Sequence, residues 1–138
     1  MLSNPLSFSK NIHQDLSVMV REALTQIGVS RDQLSNFDSH STITIELENE
    51  KMINLSLVED RLVIWSFISL NKEKLVANSR QILTMMTAPI RYIELGHCAL
   101  GACDGGYELK ALIDLDGLKK NKLRQVINDF YHTLISIS

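Results

Sequence analysis

The period at which apolar residues recur changes several times along the chain, and each change marks an element. Through "NIHQDLSVMVREALTQIG", Ile12, Leu16, Met19, Val20, Ala23, Leu24 and Ile27 return every three or four residues, which is one apolar stripe on a helix. Asn11 or Ser9 can cap its start, and Gly28 stands where a helix ordinarily stops. A polar connector, "VSRDQLSN", follows. From residue 41 the period falls to two. Ile43, Ile45 and Leu47 alternate with Thr42, Thr44 and Glu46, placing aliphatics on one sheet face and polar groups on the other. After "ENEK", Ile53, Leu55 and Leu57 alternate with Asn54 and Ser56, and "VED" turns the chain into "RLVIWSFISL". Connections this short predict an antiparallel meander.

The third strand is apolar on both sides. Leu62, Ile64 and Ile68 share one face, and Val63, Trp65 and Phe67 share the other. A single helix layer can cover only one of them. A second helix is predicted over "KEKLVANSRQILTMMT", with Leu75, Ser79, Ile82, Leu83 and Met86 on one side and Pro89 ending the pattern. Two strands, "IRYIELGHCAL" and "YELKALIDL", come next, joined by the glycine-rich "GACDGG", with Asp116-Gly117 closing the hairpin. A third amphipathic helix is predicted in "LKKNKLRQVINDFYHTLISI" from Leu123, Val126, Ile127, Phe130, Leu134 and Ile137. The order α-β-β-β-α-β-β-α, without repeats or linkers, defines an α+β fold.

Composition narrows the function classes. The 138 residues match the size of one domain, residues 1–138, with residues 1–10 expected to be flexible. A net charge of −2 offers no basic field for nucleic acid or an anionic membrane. The start, "MLSNPLSFSK", lacks the basic and apolar regions of a signal peptide, and no apolar run approaches the roughly 20 residues of a bilayer span. Two cysteines do not make a disulfide framework. The expectation is a reduced cytoplasmic protein.

Three stretches could carry chemistry. "FDSHSTITIEL" sets Asp38, Ser39, His40 and Ser41 side by side, the residue types of a hydrolytic triad. Neighbours entering a strand point to alternate faces, so Ser39 and His40 diverge, and no nucleophile elbow accompanies them. Asp38 is better placed to accept backbone N–H groups and launch the strand. In "HCALGACDGG", His97, Cys98, Cys103 and Asp104 are metal-ligand types, but their spacing does not suit zinc, and buried thiols are the better reading. In "KKNKLR" four cations open the last helix at its positive end, where they cost stability and hint at an acidic partner. No phosphate-binding loop or dinucleotide fingerprint is present. The expectation is no catalytic residue, no cofactor and no metal. What is left over is apolar surface: Val63, Trp65 and Phe67 on the sheet, and Met85 and Met86 on the second helix. Surplus of this kind marks a subunit interface or a groove for a partner chain.

"FDSHSTITIEL", "LVIWSF", "ANSRQILTMM", "GYELKALIDLD" and "FYHTLISI" together resemble the cytosolic effector chaperones of type III secretion, class IB, the InvB/SpaK-like branch that serves several effectors. The resemblance runs from about Ile12 to the end, and the Asp-Ser-His-Ser run is its most specific part. It implies a homodimer with helices packed on a twisted antiparallel sheet. It also implies ATP-independent capture of the segment behind an effector's N-terminal secretion signal, held extended and presented to the export machinery, the export ATPase included. Apolar effector side chains would lie in grooves, and a strand could be added at a sheet edge. Carried over by position, the dimer contact falls on Ile82, Met85, Met86 and Tyr92. The effector grooves fall on Leu16, Val20, Val63, Trp65 and Phe67. The chain departs from the family in being only mildly acidic, with pI ≈ 6.1, and in "HCALGACDGG" and "KKNKLR". Two alternatives compete: a dimeric protein-binding module of other purpose, and a small hydrolase using Ser39 and His40.

Overall fold

The computed structural model describes residues 17–138, apart from Asn36, Ser39, Glu48 and Asp60. Helix α1 covers residues 17–26 in its described part, and Gly28 ends it at φ +102°, a conformation that only glycine takes without strain. The expected flexibility of residues 1–10 lies outside the described residues. The connector is more than a loop. It holds a short helix, α2 (Arg31–Ser35), whose first turn is capped by Ser30 Oγ accepting the Gln33 N–H at 3.3 Å. Serine followed three residues later by glutamine is a capping-box signal legible in the sequence. Leu34 pins α2 into the core.

Strands β1 (Thr42–Glu46), β2 (Met52–Val58) and β3 (Arg61–Ile68) form the predicted meander. The sheet continues through β5 (Gly106–Leu112) to β4 (Ala99–Cys103), giving the order β1-β2-β3-β5-β4, antiparallel throughout. Register follows the alternation: Ile43 faces Leu55, Leu55 faces Ile64, and Ile64 faces Ala111. These residues and Ile53, Leu62, Ile68 and Leu109 are buried in one core with Val20, Ala23 and Leu24 of α1. The same core takes in Leu123, Val126, Phe130, Leu134 and Ile137 of the last helix, α6 (Leu123–Ile137). Ser66 is the polar member of the inward row of β3. Its hydroxyl donates to the Met52 carbonyl at 2.6 Å, which removes the cost of burying it.

Three elements depart from the pattern reading. The second helix is broken at Asn78 into α3 (Lys72–Ala77) and α4 (Ser79–Thr87). Asn71 caps α3 by accepting the Lys74 N–H at 2.8 Å, and α4 packs on α6, where Gln81 donates to the Ser136 carbonyl at 2.9 Å. Of the predicted apolar side only Ile82 is buried, and Leu83 is 62% exposed. The segment 91–98 is not strand. Tyr92 (φ 69°), Leu95 (φ 64°) and Gly96 (φ 77°) turn the backbone left-handed through a 3-10 turn, Glu94–Gly96, leaving Ala99–Cys103 as β4. Asp116-Gly117 does not close a hairpin. It lies in a short helix, α5 (Leu115–Lys119), because the Asp114 carboxylate accepts the Gly117 N–H at 2.7 Å and caps it. Among the described residues no helix is long and apolar enough to cross a membrane.

Candidate functional site

Because β3 is apolar on both sides and the helices contribute to a core on one of them, its other side is left open among the described residues. Leu62, Ile64, Ser66 and Ile68 are buried, whereas Val63 and Trp65 are half-buried and Phe67 is 48% exposed. Opposite them on β5 stand Leu112 across from Val63, Lys110 across from Trp65 and Glu108 across from Phe67. The 3-10 turn rises beside this row. Together they enclose a groove of about 530 Å³ whose apolar lining includes Val58, Val63, Trp65, Leu95, Ala99 and Leu112. Glu94, His97, Glu108 and Lys110 supply its polar rim.

The tryptophan at the centre is held in position. Its indole N–H donates to Ser56 Oγ at 3.0 Å, and Ser56 shares a further hydrogen bond with Thr42 Oγ1 at 3.0 Å. Thr44 donates to Asn54 at 2.8 Å in the neighbouring pair. The outer face is therefore polar over β1 and over Asn54 and Ser56 in the middle of β2, and becomes apolar at β3. Charges at the groove are neutralised in place: Arg61 pairs with Glu94, and Lys110 with Glu108 at 3.3 Å. Phe67 lies over the glycines of the β4–β5 turn. A Cβ at Gly106 would sit 3.0 Å from its ring and 2.3 Å from the Ile68 carbonyl oxygen, so that turn needs glycine for close approach. A rigid aromatic anchor in an apolar groove with paired charges at its rim suits the side chains of another polypeptide.

The sequence-derived candidates separate. Val63, Trp65 and Phe67 do share the open face. Val20 does not. It is fully buried between the helices and the inward side of the sheet, because the single apolar stripe of α1 is consumed by the core. Leu16 lies outside the described residues. Among the dimer candidates, Ile82 is buried within its own chain, while Met85, Met86 and Tyr92 pack only partly against the core. Tyr92 carries the Arg91 guanidinium 5.0 Å above its ring. The exposed apolar residues of α3 and α4 are Val76 and Leu83 instead. Pattern reading missed Val58, Leu112 and Leu95. Alternation along β2 and β5 could have found the first two, but nothing in the sequence marks the turn that carries Leu95.

The "FDSHS" stretch is a turn. Asp38 accepts the His40 N–H at 2.8 Å and the Ser41 hydroxyl at 3.1 Å through one carboxylate oxygen, and Ser41 N–H reaches the Asp38 carbonyl at 3.1 Å. The His40 N–H bond, then that from Ser41, lowers the Asp38 pKa from its ordinary value. Ser39 lies outside the described residues. Cys98 is buried and Cys103 exposed, and desolvation pushes the Cys98 thiol up to about 11. Among the described residues no three His, Cys, Asp or Glu side chains converge as a metal site would require.

Residues 28–104, more than half of the chain, match the Invasion protein B family, and the chain belongs to that family. It is the type III secretion chaperone branch that the sequence resembles. Surface presentation of antigens protein SpaK of Salmonella typhimurium (strain LT2) is 29% identical over 124 residues, spanning 88% of this chain and 92% of that protein. The protein of the same name from Salmonella typhi matches to the same extent. In three dimensions, a chain of the crystal structure of the ExsC–ExsE complex superposes with a TM-score of 0.51 at 14% identity. The superposition covers 88% of this chain and 90% of that one, which shows a shared fold.

Proposed function

We propose that this type III secretion chaperone binds the N-terminal segments of secreted effector proteins without ATP. On this reading it keeps each segment non-globular and passes it to the export apparatus from the bacterial cytoplasm. The observation that carries the reading is the outward face of β3, where half-buried Val63 and Trp65 line a preformed groove and the more exposed Phe67 stands next to them. Burying such a row against a partner's apolar side chains supplies binding free energy without any covalent step. A chain of this fold occurs in the ExsC–ExsE complex, which supports a protein as the ligand. The effector contacts are assigned to Val63, Trp65 and Phe67, within a single domain of residues 1–138.

Two copies are proposed to associate through α3, α4 and the adjoining turn, with Met85, Met86 and Tyr92 joined by Val76 and Leu83. Leaving Val76 and Leu83 63% and 62% exposed in a free chain would keep apolar area in water that a partner can remove. The export ATPase is a downstream partner in this scheme, and nucleic acid and membrane insertion have no part in it. No catalytic residue is assigned, consistent with an Asp38 carboxylate committed to its turn.

The test is co-expression with the N-terminal segment of a secreted protein from the same organism. Trp65 is the sole tryptophan, so its emission should move to the blue when cargo covers it. Trp65→Asp should weaken cargo capture while leaving the circular dichroism unchanged. Light scattering should give twice 15.6 kDa without cargo. Unaltered capture by Trp65→Asp would remove the groove from the proposal, and a persistent monomer would remove the dimer.

A further inference from the structure

The basic run at residues 119–124 is not explained by the groove or by the dimer, and its placement differs from the sequence expectation. Lys119 and Lys120 do not precede α6. They end α5, where cations complement the negative end of a helix. Lys122 and Arg124 flank the start of α6. The turn between them is firmly built. The Lys122 N–H bonds to the Gly117 carbonyl at 2.9 Å and the Asn121 N–H to the Leu118 carbonyl at 3.4 Å, with Asn121 left-handed at φ 56°. That pair of bonds is a Schellman cap. Leu118 and Leu123, on either side, are buried in the core. The four cations thus project from a backbone that is anchored at both ends.

None of the four makes an ion pair or a side-chain hydrogen bond among the described residues, unlike Arg61 and Lys110 at the groove. Asp116, one helical turn ahead of Lys119 and Lys120, pairs with neither. Residues 114–124, from the cap of α5 onward, hold four cations against two carboxylates, a local +2 in a chain of net −2. We infer that this α5–α6 corner is a docking surface for an acidic polypeptide segment. A short peptide feels charges only within about 10 Å at ordinary ionic strength, so it meets the corner's positive field alone. A long polyanion or an anionic bilayer also meets the remaining, negative surface and is disfavoured. Leu115 is exposed on the same short helix, four residues before Lys119, and offers one apolar contact beside the charges.

The experiment uses fluorescence anisotropy with a labelled Glu-Ser repeat peptide and the full chain. Binding should appear at low salt and weaken by about tenfold or more on going to roughly 0.5 M salt. The Lys119→Gln/Lys120→Gln/Lys122→Gln/Arg124→Gln variant should lose about tenfold in affinity at low salt. The Arg31→Gln/Lys51→Gln variant, charge-matched to Lys119→Gln/Lys120→Gln and clear of the groove and of the proposed dimer contact, should stay within about 1.5-fold. Lys119→Gln/Lys120→Gln, which leaves α6 untouched, should lose about threefold by itself and guards against misfolding of the larger variant. Equal losses in the two charge-matched variants would overturn the assignment. So would failure of the peptide to bind, or tighter binding of a single-stranded oligonucleotide or of phosphatidylserine vesicles.

Discussion

The two faces of strand β3 are both predominantly apolar, yet they do different things. On one, Leu62, Ile64 and Ile68 share a core with α1 and α6 and are almost wholly removed from water. On the other, Val63 and Trp65 are half-buried in the wall of a groove and Phe67 stands exposed beside them. The first face is closed by the chain itself and contributes to folding. The second keeps its apolar area in water and has burial free energy left for a partner, at roughly 25 cal/mol per Å² removed. Composition does not separate an interior from a binding surface here. What separates them is whether the chain has an element left to lay over the row, and after α1 and α6 have joined the inner core it has none among the described residues.

The sharpest way to break this contrast is to truncate neighbours on β3. Ile64→Ala should destabilise the fold by about 2–5 kcal/mol in urea unfolding, whereas Val63→Ala should cost less than about 1 kcal/mol. Equal losses would mean that both faces are core. The two thiols probe the same distinction chemically. With the Cys98 pKa near 11 and Cys103 exposed, a disulfide reagent at about pH 8 should label Cys103 on the order of a hundredfold faster. Equal rates would show that the inner region opens readily.

Gly106→Ala tests how the open face is seated. The added methyl would lie 2.3 Å from the Ile68 carbonyl oxygen, and forcing the backbone apart should cost about 1–3 kcal/mol. It should also displace the Phe67 ring and weaken cargo capture. Unchanged capture would show that the position of this ring does not matter to the groove. Last and smallest is the turn before β1. The Asp38 pKa is lowered in the folded chain, so its contribution is present above the ordinary carboxylate pKa of 3.8 and fades as pH falls through the folded value. Unfolding midpoints at pH 7 and pH 3 should therefore lie closer together in Asp38→Ala than in the parent. A parent with no greater acid sensitivity would show that the turn contributes nothing to stability.

Much of the architecture could be read in advance because local periodicity and the inward direction coincide. Ile43, Ile53, Leu55 and Ile64 alternate with polar or outward residues and lie in the core, and the apolar repeat of α6 faces that core as well. Reading failed where local signals are set by distant contacts. Tyr92 and Leu95 adopt left-handed backbone that bulky side chains disfavour, and the tight approach of Gly117 to Tyr92, where a Cβ on residue 117 would sit only 2.9 Å from that of the tyrosine, belongs to packing. Asp116-Gly117 reads as a turn until the Asp114 cap is seen. Val20 shows the limit most clearly. Its helical stripe announces burial but not against what, so it could be taken for a groove residue until the core claimed it.

By itself, the sequence determined the alternation of β1 to β3, the amphipathic last helix, the two-faced third strand and the family. All of these follow from spacing and side-chain type along a few consecutive residues. Tertiary structure decided which face of β3 is closed, that Trp65 is fixed by Ser56 rather than free to rotate, and that Lys119 and Lys120 cap a short helix instead of opening a long one. Those outcomes depend on hydrogen bonds and packing between residues far apart in the chain, and the register that brings them together is a property of the whole fold.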